Sequence, residues 1–159
     1  MDIKFVGKVS ESYGLPESIY LPFYLSKVSA GFPSPAQDYV ENTLDLNELC
    51  IQHPSATFFV RVEGESMIEA GIYSGDILIV DRAITAAQGD IVIVNLNGEF
   101  TVKELQLTPQ VALVAHNPKY PIRIIKEGDE LDIFGVVTNV IRKLPRHKGT
   151  SHASSNPIF

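Results

Sequence analysis

Asn97-Gly98 stands between two apolar-rich runs, Asp90–Leu96 and Glu99–Leu107. The type I′ two-residue hairpin turn needs positive φ at both central positions, and asparagine followed by glycine adopts it at low cost. This dipeptide therefore commits the middle of the chain to antiparallel β-structure. The flanking sequence repeats the theme: Thr57–Val62, Asp76–Val80, Val111–Ala115, Ile122–Ile125 and Leu131–Ile141 are short and rich in β-branched residues. Gly75, Gly89, Asn117-Pro118, Gly128-Asp129 and Gly135 punctuate them. The reading is a mostly β domain of about seven or more strands. Upstream, extended pieces are predicted around Ile3–Val6 and Ile19–Leu25, and a helical turn near Asn47–Cys50. Gly7, Gly14, Pro16 and Pro22 break any longer helix there.

The chain has 159 residues, enough for one domain with a real core. Its net charge of -6 argues against a protein whose main work is gripping phosphate backbones, so no direct sequence-specific DNA binding is expected. Partners are expected to be proteins, or proteins already seated on DNA. Cys50 is the only cysteine, which excludes an internal disulfide and a CxxC metal or redox site; it reads as a small buried hydrophobe. No metal or other cofactor is called for. No apolar run approaches the ~20 residues that span a bilayer, and the first residues lack a signal-peptide core. A cytoplasmic protein without a membrane partner is expected.

Three stretches carry candidate chemistry. Val62-Glu63-Gly64-Glu65-Ser66-Met67 leaves one strand through a turn of small residues, where a serine is either a helix cap or a presented nucleophile. On Glu99–Leu107, alternation sets Lys103 in line with Thr101, Leu105 and Leu107. A lysine there either snorkels to an edge or is desolvated, and desolvation lowers its pKa and frees an amine to act as a general base. No histidine completes a Ser-His-Asp set: His53 and His116 lie beside turns and His147 and His152 lie in the tail. A Ser–Lys dyad is the alternative. The third stretch is Val28–Ala36, small residues followed by Pro33 and Pro35, an extended strip that is either a linker or a peptide to be recognised.

Gly64-Glu65-Ser66-Met67, Gly75-Asp76-Ile77-Leu78-Ile79-Val80-Asp81, Gly89-Asp90-Ile91-Val92, Glu99-Phe100-Thr101-Val102-Lys103 and Phe134-Gly135-Val136-Val137, in that order, resemble the LexA/UmuD family of self-cleaving serine peptidases. The resemblance covers about residues 28 to 143. Gly31-Phe32-Pro33-Ser34-Pro35-Ala36 and Gln52-His53-Pro54-Ser55-Ala56-Thr57 are of the UmuD type. It implies a LexA/signal-peptidase-like β domain over 31–144 and an N-terminal arm over 1–30; the polar, breaker-rich composition of 145–159 reads as a flexible tail. It implies Ser66 as nucleophile, Lys103 as general base, backbone N–H groups of Glu65 and Ser66 as oxyanion donors, and Ala30–Gly31 as the bond cut. UmuD has a cysteine before that glycine; alanine is the LexA-type choice. It further implies an SOS mutagenesis role: self-cleavage on contact with a RecA–single-stranded DNA filament, a homodimer, and a processed form serving a Y-family (UmuC-like) translesion polymerase. The competing classes are a non-catalytic scaffold regulating a polymerase, a DNA-binding repressor and a signal-peptidase-like enzyme acting on other proteins. The short, broken N-terminal stretch argues against the repressor, and the lack of an anchor argues against the last.

Overall fold

The computed structural model describes residues 1–8, 21–24 and 40–147. Their elements, in chain order, are β1 (Asp2–Lys8), β2 (Leu21–Tyr24), β3 (Val40–Leu44), α1 (Leu46–Cys50), β4 (Thr57–Glu63), β5 (Ile77–Asp81), β6 (Ile91–Leu96), β7 (Glu99–Gln106), β8 (Ala112–Val114), β9 (Arg123–Ile124) and β10 (Leu131–Ile141). Single 3-10 turns occupy Pro54–Ala56 and Ile68–Ala70. The expected β-rich class is what forms. Eight strands make one sheet in the order β1-β4-β5-β10-β6-β7-β8-β9, with antiparallel neighbours, and β2 pairs with β3 separately.

The β6–β7 hairpin turns at Asn97 (φ 52) and Gly98 (φ 89), the left-handed pair that the dipeptide predicts. The helical turn expected near Asn47–Cys50 is α1. Asp45 caps it, accepting a hydrogen bond from the Asn47 amide at 2.7 Å.

Apolar residues on both faces of the central strands make two cores. Val60, Val62, Met67, Ile72, Leu78, Val80, Ile93 and Val102 form the first, and Val92, Val94, Leu105, Leu113 and Val136 the second. The sheet curls, because β1 at one end packs back on β7: Phe5 meets the Phe100 ring edge-on at 5.4 Å, and both contact Phe134. That curl brings β4 and β7 together although three strands separate them in the sheet order.

β10 shifts register between Ile133 and Gly135, a bulge that lets one long strand pair with β6 and then with β5. A Cβ at Gly135 would lie 2.8 Å from Val80 Cγ1 and 3.1 Å from the Asp81 carbonyl oxygen. Val80 is fully buried and cannot yield. Gly135→Ala is therefore expected to lower unfolding free energy by about 1–3 kcal/mol, measured by urea denaturation.

Candidate active site

Glycine sets the approach to Ser66. β4 ends at Glu63, and Gly64 takes φ 105, so the chain turns sharply before the serine. The base of the turn is tied to the start of β5: the Gly75 amide donates to the Val62 carbonyl at 2.7 Å, and the Gly64 amide to Ser74 Oγ at 3.2 Å. Beyond the serine, Met67 is fully buried in the first core. The helix-cap alternative for Ser66 does not hold. The residue capping the following 3-10 turn is Met67, without a side-chain cap hydrogen bond, and Ser66 is itself fully buried.

The side chain Ser66 meets is Lys103. Lys103 Nζ lies 3.2 Å from Ser66 Oγ, and donates at 2.9 Å both to Thr101 Oγ1 and to the Val102 carbonyl. Thr101 and Lys103 are two apart on β7, so alternation turns both to one side. This is the alignment read from sequence, with one difference: Leu107 falls beyond β7 and is 40% exposed, while Leu105 is buried in the second core. Lys103 is half-buried. Burial pushes its ammonium below the ordinary lysine value, opposed by a hydrogen bond with the chain's terminal amine and by the charge of Asp2. That amine, on Met1, reaches Thr101 Oγ1 at 3.4 Å; burial and the neighbouring Lys103 push it down to about 6.

A residue that the sequence offered only as turn punctuation completes the support. Buried Asn117 donates from Nδ2 to the Glu65 carbonyl at 2.9 Å, and its Oδ1 accepts from the Lys119 amide at 3.0 Å. Beside it, the His116 carbonyl accepts from the Glu69 amide at 2.9 Å. The loop after β8 thus holds the serine turn on both sides of Ser66. Asn117 and Glu65 are 52 residues apart, and Asn-Pro carries a local turn signal that says nothing of so distant a partner. Asn117→Ala removes one of the two donors to the Glu65 carbonyl, leaving the Ile68 amide at 3.3 Å, at a cost of about 1 kcal/mol. It is expected to slow any Ser66-dependent reaction about tenfold without moving its pH midpoint, since Lys103 keeps its surroundings.

His53, His116 and Arg142 have structural partners away from Ser66. His53 Nδ1 lies 2.6 Å from Asp81 Oδ2, and His116 Nε2 pairs with Glu104. Neither pair includes Ser66. Arg142 grips Asp76 through Nε and a terminal nitrogen at 2.6 and 2.5 Å, donates to the Gly71 carbonyl at 2.8 Å, and stacks over Tyr73. Burial raises the Asp76 pKa, but Arg142 and the Tyr73 amide outweigh it and hold the carboxyl below its usual range. Among the described residues no group of three or more His, Cys, Asp or Glu side chains is arranged to hold a metal, and no helix is long and apolar enough to cross a membrane. The expected cleavage pair Ala30–Gly31, His152 and the tail from residue 148 lie outside the described residues.

A serine hydroxyl within reach of a desolvated amine, on a turn braced from two sides, is an arrangement suited to nucleophilic attack. Comparison with known proteins agrees in kind. Residues 22–138 match the Peptidase S24-like family. The chain is 55% identical over 122 residues to protein SamA of Salmonella typhimurium, covering 77% of this chain and 85% of that one. It is 46% identical over 138 residues to protein MucA of Escherichia coli, covering 86% and 94%. With the LexA repressor of Ectopseudomonas mendocina it shares 37% identity over 139 residues, covering 86% of this chain and 64% of the repressor. The chain belongs to the Peptidase S24-like family, as a UmuD-type member of it.

Proposed function

We propose that this chain is a latent autoprotease of the SOS mutagenesis response, cutting its own Ala30–Gly31 bond with Ser66 as nucleophile and Lys103 as general base. The observation that carries the reading is the 3.2 Å approach of Lys103 Nζ to Ser66 Oγ in a setting that favours the neutral amine. In the reaction neutral Lys103 takes the hydroxyl proton as Ser66 Oγ attacks the Ala30 carbonyl carbon. The tetrahedral oxyanion is met by backbone N–H groups of Glu65 and Ser66. Lys103 then returns the proton to the departing Gly31 amine, leaving an acyl-serine that water hydrolyses. Thr101 holds the lysine aimed at the serine, and Met67 and Asn117 hold the serine aimed at the lysine.

A small alanine and glycine at the cut let the backbone kink into a narrow site. A RecA–single-stranded DNA filament acts by binding more tightly to the arrangement with the strip seated at the dyad, and so shifts a pre-existing equilibrium. The processed chain, residues 31–159, pairs as a homodimer and serves as accessory subunit of a UmuC-like Y-family translesion polymerase in the cytoplasm. The family and its UmuD-type relatives support this role. Incubating the purified chain with preformed filaments at neutral pH tests it. Filament-dependent appearance of a fragment beginning at Gly31 supports the reading; an intact chain under filaments that cleave a LexA repressor in the same tube overturns it.

A further inference from the structure

β1 covers one edge of the main sheet, and the charges along that edge are mismatched. The register sets Asp2 opposite Glu63 and Lys4 opposite Arg61. Directly opposed side chains share a face, so acid faces acid and base faces base. Asp2, Lys4 and Glu63 are exposed and Arg61 is half-buried. No ion pair joins any of the four among the described residues. Like charges directly opposite destabilise a strand pair, and the favourable diagonals, at about 7–8 Å, compensate only in part. The inward side of the same strand fits: Met1 and Ile3 pack on the first core beside buried Val60 and Val62.

We propose that the β4 edge is a docking site for an extended strand of a partner protein, and that β1 is its resident, displaceable occupant. The matching strand carries apolar residues at the positions of Met1 and Ile3, a basic residue at that of Asp2 and an acidic one at that of Lys4. Strand addition supplies affinity through backbone hydrogen bonds to β4, and the two charges supply selectivity. A second copy of this chain is the poorer ligand, because its own β1 brings the same like-charge pairs. The site ends at Glu63, three residues before Ser66, and β1 also meets the base strand through Met1 and Thr101. An arriving strand is thereby placed beside the dyad. On the reading that the chain cuts at Ala30–Gly31, the cut leaves β1 held only by non-covalent contacts, its own with β4 and β7 and those of β2 with β3, and so opens the edge to exchange.

The test uses the full chain carrying Ser66→Ala, so that its outcome does not depend on cleavage. Two synthetic peptides of residues 1–7 are titrated to millimolar concentration, one native and one carrying Asp2→Lys and Lys4→Glu. Amide hydrogen exchange is read at β1 and β4. The charge-exchanged peptide is expected to strip protection from β1 while β4 stays protected, and to bind roughly tenfold more tightly than the native peptide. Equal binding by the two peptides, or no displacement of β1 by either, overturns the proposal. A cycle within the chain provides a second reading. Asp2→Lys with Lys4→Glu is expected to raise β1 protection several-fold, as is Arg61→Glu with Glu63→Lys, and all four together should return it to the starting level. Four changes that simply add, with no return, also overturn it.

Discussion

Lys103→Arg is expected to leave a folded chain that no longer cuts itself, although the positive charge beside Ser66 is kept. Arginine does not deprotonate in proteins, so it cannot accept the hydroxyl proton. A positioned general base is worth about 10²–10⁴ in rate, and Ser66→Ala removes the reaction altogether. Fragment appearance on a gel at alkaline pH measures both. Wild-type cleavage should rise with pH, with a midpoint below the ~10.4 of free lysine, because burial disfavours the ammonium at Lys103. The same displacement fixes a stability effect. Between the lowered folded value and the ordinary unfolded value, the unfolded chain binds more protons, so stability rises with pH across that window. Lys103→Met, which removes the buried amine, is therefore expected to melt higher than wild type at neutral pH. The gap should close as pH passes the free-lysine value, as thermal denaturation at several pH values will show.

Met67→Ala is the substitution expected to cost most in stability. Met67 is fully buried in the first core, and it follows Ser66 directly. Truncating a buried methionine to alanine costs about 2–5 kcal/mol, depending on how far the surroundings collapse into the space. Collapse here has a second effect. Met67 caps the 3-10 turn Ile68–Ala70, and its carbonyl accepts from the Ala70 and Ile72 amides at 3.0 and 3.3 Å. A shift of the turn moves Ser66 Oγ away from Lys103 Nζ. The variant should therefore lose cleavage rate at temperatures where circular dichroism still reports a folded chain. Met67→Leu, close in volume, should restore most of both properties.

Local sequence signals were sufficient where the structure depends on local geometry. Asn97-Gly98 specified a turn because two backbone angles require it, and alternation put Thr101 and Lys103 on one side of β7 because side chains alternate along a strand. β1 and β2 were expected as short extended pieces, but their pairing depends on partners far along the chain. So does the curl that carries β7 to the turn after β4. Lys103 was poised between snorkelling and burial, and the outcome depends on Met1, Asp2 and Thr101 closing over it. Asn117 could not be singled out, since its bond to the Glu65 carbonyl spans 52 residues. The sequence does not say what the basic residues near the C-terminus meet. The Arg142 guanidinium is held by Asp76, the Gly71 carbonyl and the Tyr73 ring, partners about 70 residues away in the chain.

The most direct test of the Ser66–Lys103 assignment is intact-mass spectrometry of the purified wild-type, Ser66→Ala and Lys103→Arg chains after incubation at alkaline pH without any activator. The account predicts two wild-type fragments, residues 1–30 and 31–159, and no fragments from either variant. A break at another bond, or the same break in Ser66→Ala, would contradict it.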